Sequence, residues 1–139
     1  MKATKNIIKK EILDLIPNTV QERRRFIRKQ LGVLCDSSVF CPAIGTQVKV
    51  ESKSIVEIAQ NAAVSVASTV AALNLANLLQ NTEYEKMDMP SSATQKNKFQ
   101  AAFMIHLRVR LTGFGIAKVL VAATEHNGVL YYSATIPPK

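Results

Sequence analysis

The sequence predicts an α+β domain in which two helices pack on a four-stranded antiparallel sheet, preceded by a basic N-terminal helical hairpin. Three observations predict it. Residues 54–81 are Ala-rich and nearly uncharged, with neither Gly nor Pro and with Glu57 as the only ionised residue. Residues 103–111, 116–124 and 129–136 read as three strands joined by short turns, the last at Asn127-Gly128, a preferred pair for a type I′ hairpin turn. Charge is concentrated early: residues 1–30 hold nine Lys or Arg against Glu11, Asp14 and Glu22, within a net charge of +8 for the whole chain.

In chain order, residues 3–16 place Ile7, Ile8, Ile12, Leu13, Leu15 and Ile16 on one broad face, the pattern of an amphipathic helix ended before Pro17. Asn18 or Thr19 caps a second helix, VQERRRFIRKQL, which Gly32 stops. The basic hairpin is thus residues 1–31, followed by a linker, 32–46, with Gly, Pro and Ser, and a domain over 47–139. Gln47–Glu51 alternates polar and apolar as a short strand. Ser54-Ile-Val-Glu57 matches a capping box and starts a helix; past Ser68-Thr69 the apolar weight shifts to Leu75, Leu78 and Leu79, which predicts a second helix after a bend near 65–69. Residues 82–98 are polar, contain Pro90-Ser-Ser, and read as a surface loop.

At 139 residues the chain suffices for one domain with a real core, and 47% hydrophobic with 20% charged residues argues against wholesale disorder. The apolar stretch 54–81 is not read as a membrane span, because Gln60, Asn61, Ser65, Ser68, Asn74 and Asn77 interrupt every window. The first residues lack the apolar core of a secretory signal, so the expectation is a cytoplasmic protein with Cys35 and Cys41 as two reduced thiols, a small disulfide loop between them being the alternative; their spacing fits no zinc pattern. There is no Gly-rich phosphate loop, HExxH, GxSxG or carboxylate cluster suited to a divalent metal, and no cofactor or metal is expected.

The strand alternation leaves one polar face of interest. With the apolar positions turned to the helices, His106, Arg108, Arg110, Tyr131, Ser133 and Thr135 collect on the other face, joined by Lys118 from the middle strand. Metal-free RNA cleavage needs a base, an acid and cations around the phosphorane. His106 is the candidate base or acid, Tyr131 a stacking or proton-donating group, and Arg108, Arg110 and Lys118 the anion contacts. Alternating Arg on a strand also guards against edge-to-edge aggregation. In the hairpin, Arg23, Arg24, Arg25 and Arg28 are candidate nucleic-acid contacts.

Val48-Lys-Val50, Ser54-Ile-Val-Glu-Ile-Ala59, the Leu73–Leu79 helix, Lys118-Val-Leu-Val121 and Tyr131-Tyr-Ser-Ala-Thr135 together resemble a known pattern. It is that of a domain associated with large polyvalent proteins of phages and conjugative elements, placed in the barnase/EndoU/colicin/RelE-like nuclease superfamily. The resemblance spans roughly residues 46–136. It implies two helices on a four-stranded antiparallel sheet and metal-independent RNA cleavage from the open sheet face, without a strict catalytic motif. The functional expectation is an RNase-like domain of phage or mobile-element origin that cleaves or binds RNA. The alternative is a non-catalytic module that holds nucleic acid or docks a protein, an immunity protein among the candidates, through the basic arm. A purely structural module is the third reading. No membrane partner is expected.

Overall fold

In the computed structural model, which describes residues 1–138, the chain opens on a short strand, β1 (Ala3–Thr4), and the first helix shrinks to α1 (Lys10–Leu13). Tertiary partners override the amphipathic periodicity of residues 3–9. Lys2 and Thr4 carbonyls accept from Arg110 and Thr112 N–H at 3.0 and 2.9 Å, and the Ile7 N–H donates to Asn74 Oδ1 at 3.0 Å. Helix α2 (Val20–Leu31) forms where the sequence places it, with Thr19 Oγ1 accepting from Glu22 N–H. It is not a detached arm. Ile27 and Leu31 are buried in the main core.

The predicted linker supplies a strand. After a 3₁₀ turn at Gly32–Leu34, β2 (Ser37–Cys41) pairs antiparallel with β3 (Thr46–Val50). Cys41 is buried and Cys35 exposed, both as free thiols. Helix α3 (Ser52–Ala62) starts two residues before the predicted position, with Glu51 as its N-cap and the Glu51 N–H donating to Ser54 Oγ at 3.2 Å. Ser54 is therefore the inner member of the capping box, not its first. The predicted bend occurs where Ser65 Oγ accepts from Ser68 N–H and opens α4 (Val66–Leu73); a second break at Asn74 separates α5 (Leu75–Asn81).

The polar stretch after α5 is also partly strand: β4 (Glu83–Asp88), then a single π-type turn (Thr94–Lys98). The three C-terminal strands are β5 (Ala101–Leu111), β6 (Gly115–Thr124) and β7 (Val129–Thr135). The sheet has seven strands, is mixed and curled, and runs β2-β3-β7-β6-β5, with β4 and β1 both on the far edge of β5. The β3–β7 and β1–β5 pairs are parallel and the rest antiparallel. This overturns the expected two helices on a four-stranded antiparallel sheet. Two segments read as linker and loop carry strands, and β1 and β3 enter in parallel.

Helices α2 to α5 bury one face of this sheet. Ile58, Ala62, Val70, Leu75, Leu78 and Leu79 meet Val48, Leu107, Val109, Val119, Val121 and Ala134. The other face is not the open face that the sequence suggested. Residues around the π-type turn fold over it, and Phe99 packs on Met104, Ala122, Leu130 and Tyr132, with the Phe99 and Tyr132 rings edge-on at 4.9 Å. Among the described residues, no helix is long and apolar enough to cross a membrane.

Candidate functional site

The outer sheet face gathers its polar groups in cross-strand rows. Glu83, Arg108, Lys118 and Thr135 are successive register partners across β4, β5, β6 and β7, and Lys86, His106, Leu120 and Ser133 form the next row. A bulge in β4 between Tyr84 and Lys86 admits Glu85, which reaches the same cations. Arg108 Nε donates to Glu83 Oε1 at 3.2 Å, and Lys118 Nζ donates to Glu85 Oε2 at 2.7 Å. Arg108 also has a guanidinium nitrogen 3.9 Å from Glu85 Oε2. The hydrogen bond from Lys118 holds the Glu85 carboxyl below its ordinary range. Desolvation opposes this, and the charges of Lys118, Arg108 and His106 reinforce it.

His106 is brought beside Asp88, which lies on β4 and not in the surface loop that the polarity of residues 82–98 predicts. His106 Nε2 lies 3.2 Å from Asp88 Oδ2, and Asp88 also pairs with Lys86 at 3.3 Å. The pair borders a cleft of about 540 Å³ lined further by Met89, Pro90, Ser91, Gln95, Met104 and Leu120. Within it, Gln95 Oε1 accepts from the Ser91 N–H at 2.7 Å and is thereby committed to the turn.

Tyr131 is not on this face. The β6–β7 register shifts between Leu120, opposite Ser133, and Val121, opposite Tyr131, so Tyr132 is the extra residue. The bulge turns Tyr131 into the main core at 0% exposure, while Ser133 remains beside Lys118's row on the outer side. Its hydroxyl is buried without a hydrogen-bond partner among the described residues. Burial, with the Cys41 sulfur adding to it, pushes the phenol well above its ordinary pKa. Tyr131 therefore neither stacks a base nor donates a proton to a ligand on the outer face, which corrects the expectation drawn from simple alternation.

The arginines of α2 divide by face. Arg23 is only 8% exposed; its Nε donates to the Ala63 carbonyl at 2.7 Å and a guanidinium nitrogen donates to the Pro17 carbonyl at 3.2 Å. It ties α2 to the end of α3 and is a structural group, not a ligand contact. Arg24 is half-buried, with Nε lacking a hydrogen-bond partner among the described residues. Arg25, Arg28 and Lys29 are exposed. Arg24 and Arg28, and Arg25 and Lys29, are four residues apart and so neighbour one another along one side of α2, which makes that side cationic. None of the four takes part in an ion pair among the described residues, whereas Arg108 and Lys118 both do.

The sequence reading missed Glu83, Glu85 and Asp88. Their signal was present in the alternation Glu83-Tyr84-Glu85, but the bulge and the following Pro90-Ser-Ser weakened it. Among the described residues, no group of three or more His, Cys, Asp or Glu is arranged to hold a metal ion. Comparison of the chain with protein-family models, with curated proteins and with solved structures returns no match.

Proposed function

We propose that this chain binds nucleic acid through the phosphate backbone, with the outer surface of α2 as the contact. One observation carries the reading: Arg24, Arg25, Arg28 and Lys29 share that surface without a carboxylate partner, while the sheet cations Arg108 and Lys118 are already paired with Glu83 and Glu85. Unpaired cations release counterions from a polyanion when they bind. Cations bridged to carboxylates must first give up those bonds. The reading rests on charge and needs neither an immunity protein nor a phage or mobile-element origin.

A second reading, metal-independent RNA cleavage, is favoured by the His106–Asp88 pair at the cleft below Pro90. An imidazole beside a carboxylate is the arrangement that moves a proton. The same cleft has no cation free of a carboxylate to meet a phosphorane among its lining residues.

One experiment separates the two. Affinity for a single-stranded RNA is measured against salt concentration in EDTA for the wild type, for R24Q/R25Q/R28Q/K29Q, and for His106→Gln, with RNA integrity followed in parallel. Loss of up to four phosphate contacts reduces the slope of log K against log[salt] by about 3. The expected result is a flattened slope in the quadruple variant, an unchanged slope in His106→Gln, and intact RNA throughout. An unchanged slope in the quadruple variant refutes the α2 interface. RNA loss that His106→Gln prevents establishes cleavage instead.

A further inference from the structure

Arg110 is the one sheet cation predicted to bind anions that remains without an acidic partner among the described residues. It stands at the end of β5, opposite Ile116 on β6 and Ala3 on β1. Its surroundings differ from those of Arg108. Beside it lies a pocket of about 480 Å³ whose apolar walls are Phe114, Ile116, Ile136, Pro137 and Pro138, with Met1 also in its lining. Gly115 helps keep it open: its φ of +127° suits Gly alone, and a Cβ there would stand 3.2 Å from Ile136 Cγ2. The volume falls in the range of small-molecule sites, roughly 300–1,000 Å³, and the lining has their usual character of apolar walls with few polar groups.

We infer that this pocket binds a small apolar monocarboxylate, with its carboxylate on Arg110 and its hydrocarbon part against Phe114, Ile116, Ile136 and the Pro137-Pro138 tail. Charge and the apolar walls together decide the class. Arg108 and Lys118 also border the pocket, but Glu83 and Glu85 neutralise them. Among the described residues, Arg110 is the lining side-chain cation without a carboxylate partner, and its planar fork matches a carboxylate through two parallel hydrogen bonds. Inorganic phosphate would leave the apolar walls uncovered. A polynucleotide would leave the apolar walls without an apolar partner. The site lies on the sheet, is built from residues other than those of the α2 surface, and is independent of nucleic-acid binding.

The test uses the full chain and decanoate as probe, followed by amide and methyl NMR shifts and by calorimetry, with decanol as the uncharged control. Saturable shifts confined to Phe114, Ile116, Ile136 and their neighbours are expected. Arg110→Gln should weaken decanoate about ten- to a hundredfold, as loss of a charge-assisted pair does, and should leave decanol unchanged. Ile116→Glu, which sets a carboxylate across the hairpin from Arg110, should weaken decanoate as well. R24Q/R25Q/R28Q/K29Q should leave it intact. Preserved amide dispersion in each variant verifies folding. Absence of saturable shifts at these residues, or equal decanoate affinity in wild type and Arg110→Gln, overturns the inference.

Discussion

Replacing Tyr131 with Phe should stabilise this protein, although the ring is among the largest fully buried side chains of the core. The ring stays; only a hydroxyl without a hydrogen-bond partner is removed. Leaving such a group buried costs about 1–3 kcal/mol relative to water, because its bonds to solvent are lost and not replaced. At the lower bound, a chain of 139 residues gains about 3 °C in Tm per kcal/mol. The effect also depends on pH in a defined direction. The phenol is held neutral by burial, so its folded pKa lies above its unfolded value of about 10. Its contribution is complete below about pH 10 and is lost as pH rises from there toward the folded value, because the unfolded chain releases a proton that the folded chain retains. Above pH 10 the wild type should therefore lose about 1.4 kcal/mol per pH unit that Tyr131→Phe does not. Urea denaturation at pH 7, 9, 10.5 and 11.5 reads both effects. A Phe variant less stable than wild type at pH 7 would show that the hydroxyl is satisfied, and parallel alkaline limbs would show that the phenol ionises alike in the folded and unfolded chain; either result refutes the reasoning.

Asn74→Ala should release the N-terminal strand, because Asn74 is buried and bonds Ile7 N–H, Asn6 Oδ1 and the Val70 carbonyl at 2.8–3.0 Å. The expected cost is about 2–3 kcal/mol, with hydrogen exchange accelerated at Ile7 and at Arg110 N–H more than at Val119; uniform acceleration would mean that Asn74 acts only on global stability. Glu85→Gln should cost less than about 1 kcal/mol at pH 7, since Lys118 is itself partly exposed. Its carboxyl is held below the ordinary value of 4.5, so the wild-type contribution is present above that value and is lost as pH falls through the folded one. Denaturation at pH 7 and pH 3 should show the difference between wild type and Glu85→Gln shrinking on acidification, and a constant difference would contradict the pairing.

Local order was readable where one element's own pattern decided it. Helix α2 runs from the predicted Thr19 cap to Gly32, and β5 and β6 follow their alternation closely. What could not be read was pairing. Ser37–Cys41 has too little contrast to announce a strand, and it becomes one because Val39 and Cys41 meet Val48 and Thr46 across a hairpin. Glu83–Asp88 is polar because its outer side faces Arg108, His106 and Lys118, partners that are distant in sequence. Residues 3–9 have helical periodicity, but Asn74, the N-cap of α5, and Asn77 and Asn81 within it bind Asn6, the Lys5 carbonyl and Thr4 instead. A strict alternation also cannot reveal a bulge. One extra residue at Tyr132 exchanges the faces of Tyr131 and Leu130, which removed the aromatic from the proposed site and placed Leu130 against Phe99.

The distribution of charge then separates two kinds of basic residue that look alike in sequence. Arg23 and Arg108 are held by specific acceptors, the Ala63 carbonyl and the Glu83 carboxylate, and each organises the fold around itself. Releasing them to a ligand would strand a buried carbonyl in one case and a carboxylate in the other. Arg25, Arg28 and Lys29 have no such obligation, yet α2 is anchored in the core through Ile27 and Leu31. Their backbone positions are therefore fixed before any polyanion arrives, and only side-chain freedom is lost on contact. A flexible basic tail would lose backbone freedom too. The same logic applies at Arg110, which a strand anchors at the rim of an apolar pocket while its guanidinium stays unpaired among the described residues. In both places the proposed contacts are cations that the fold positions but does not neutralise among the described residues.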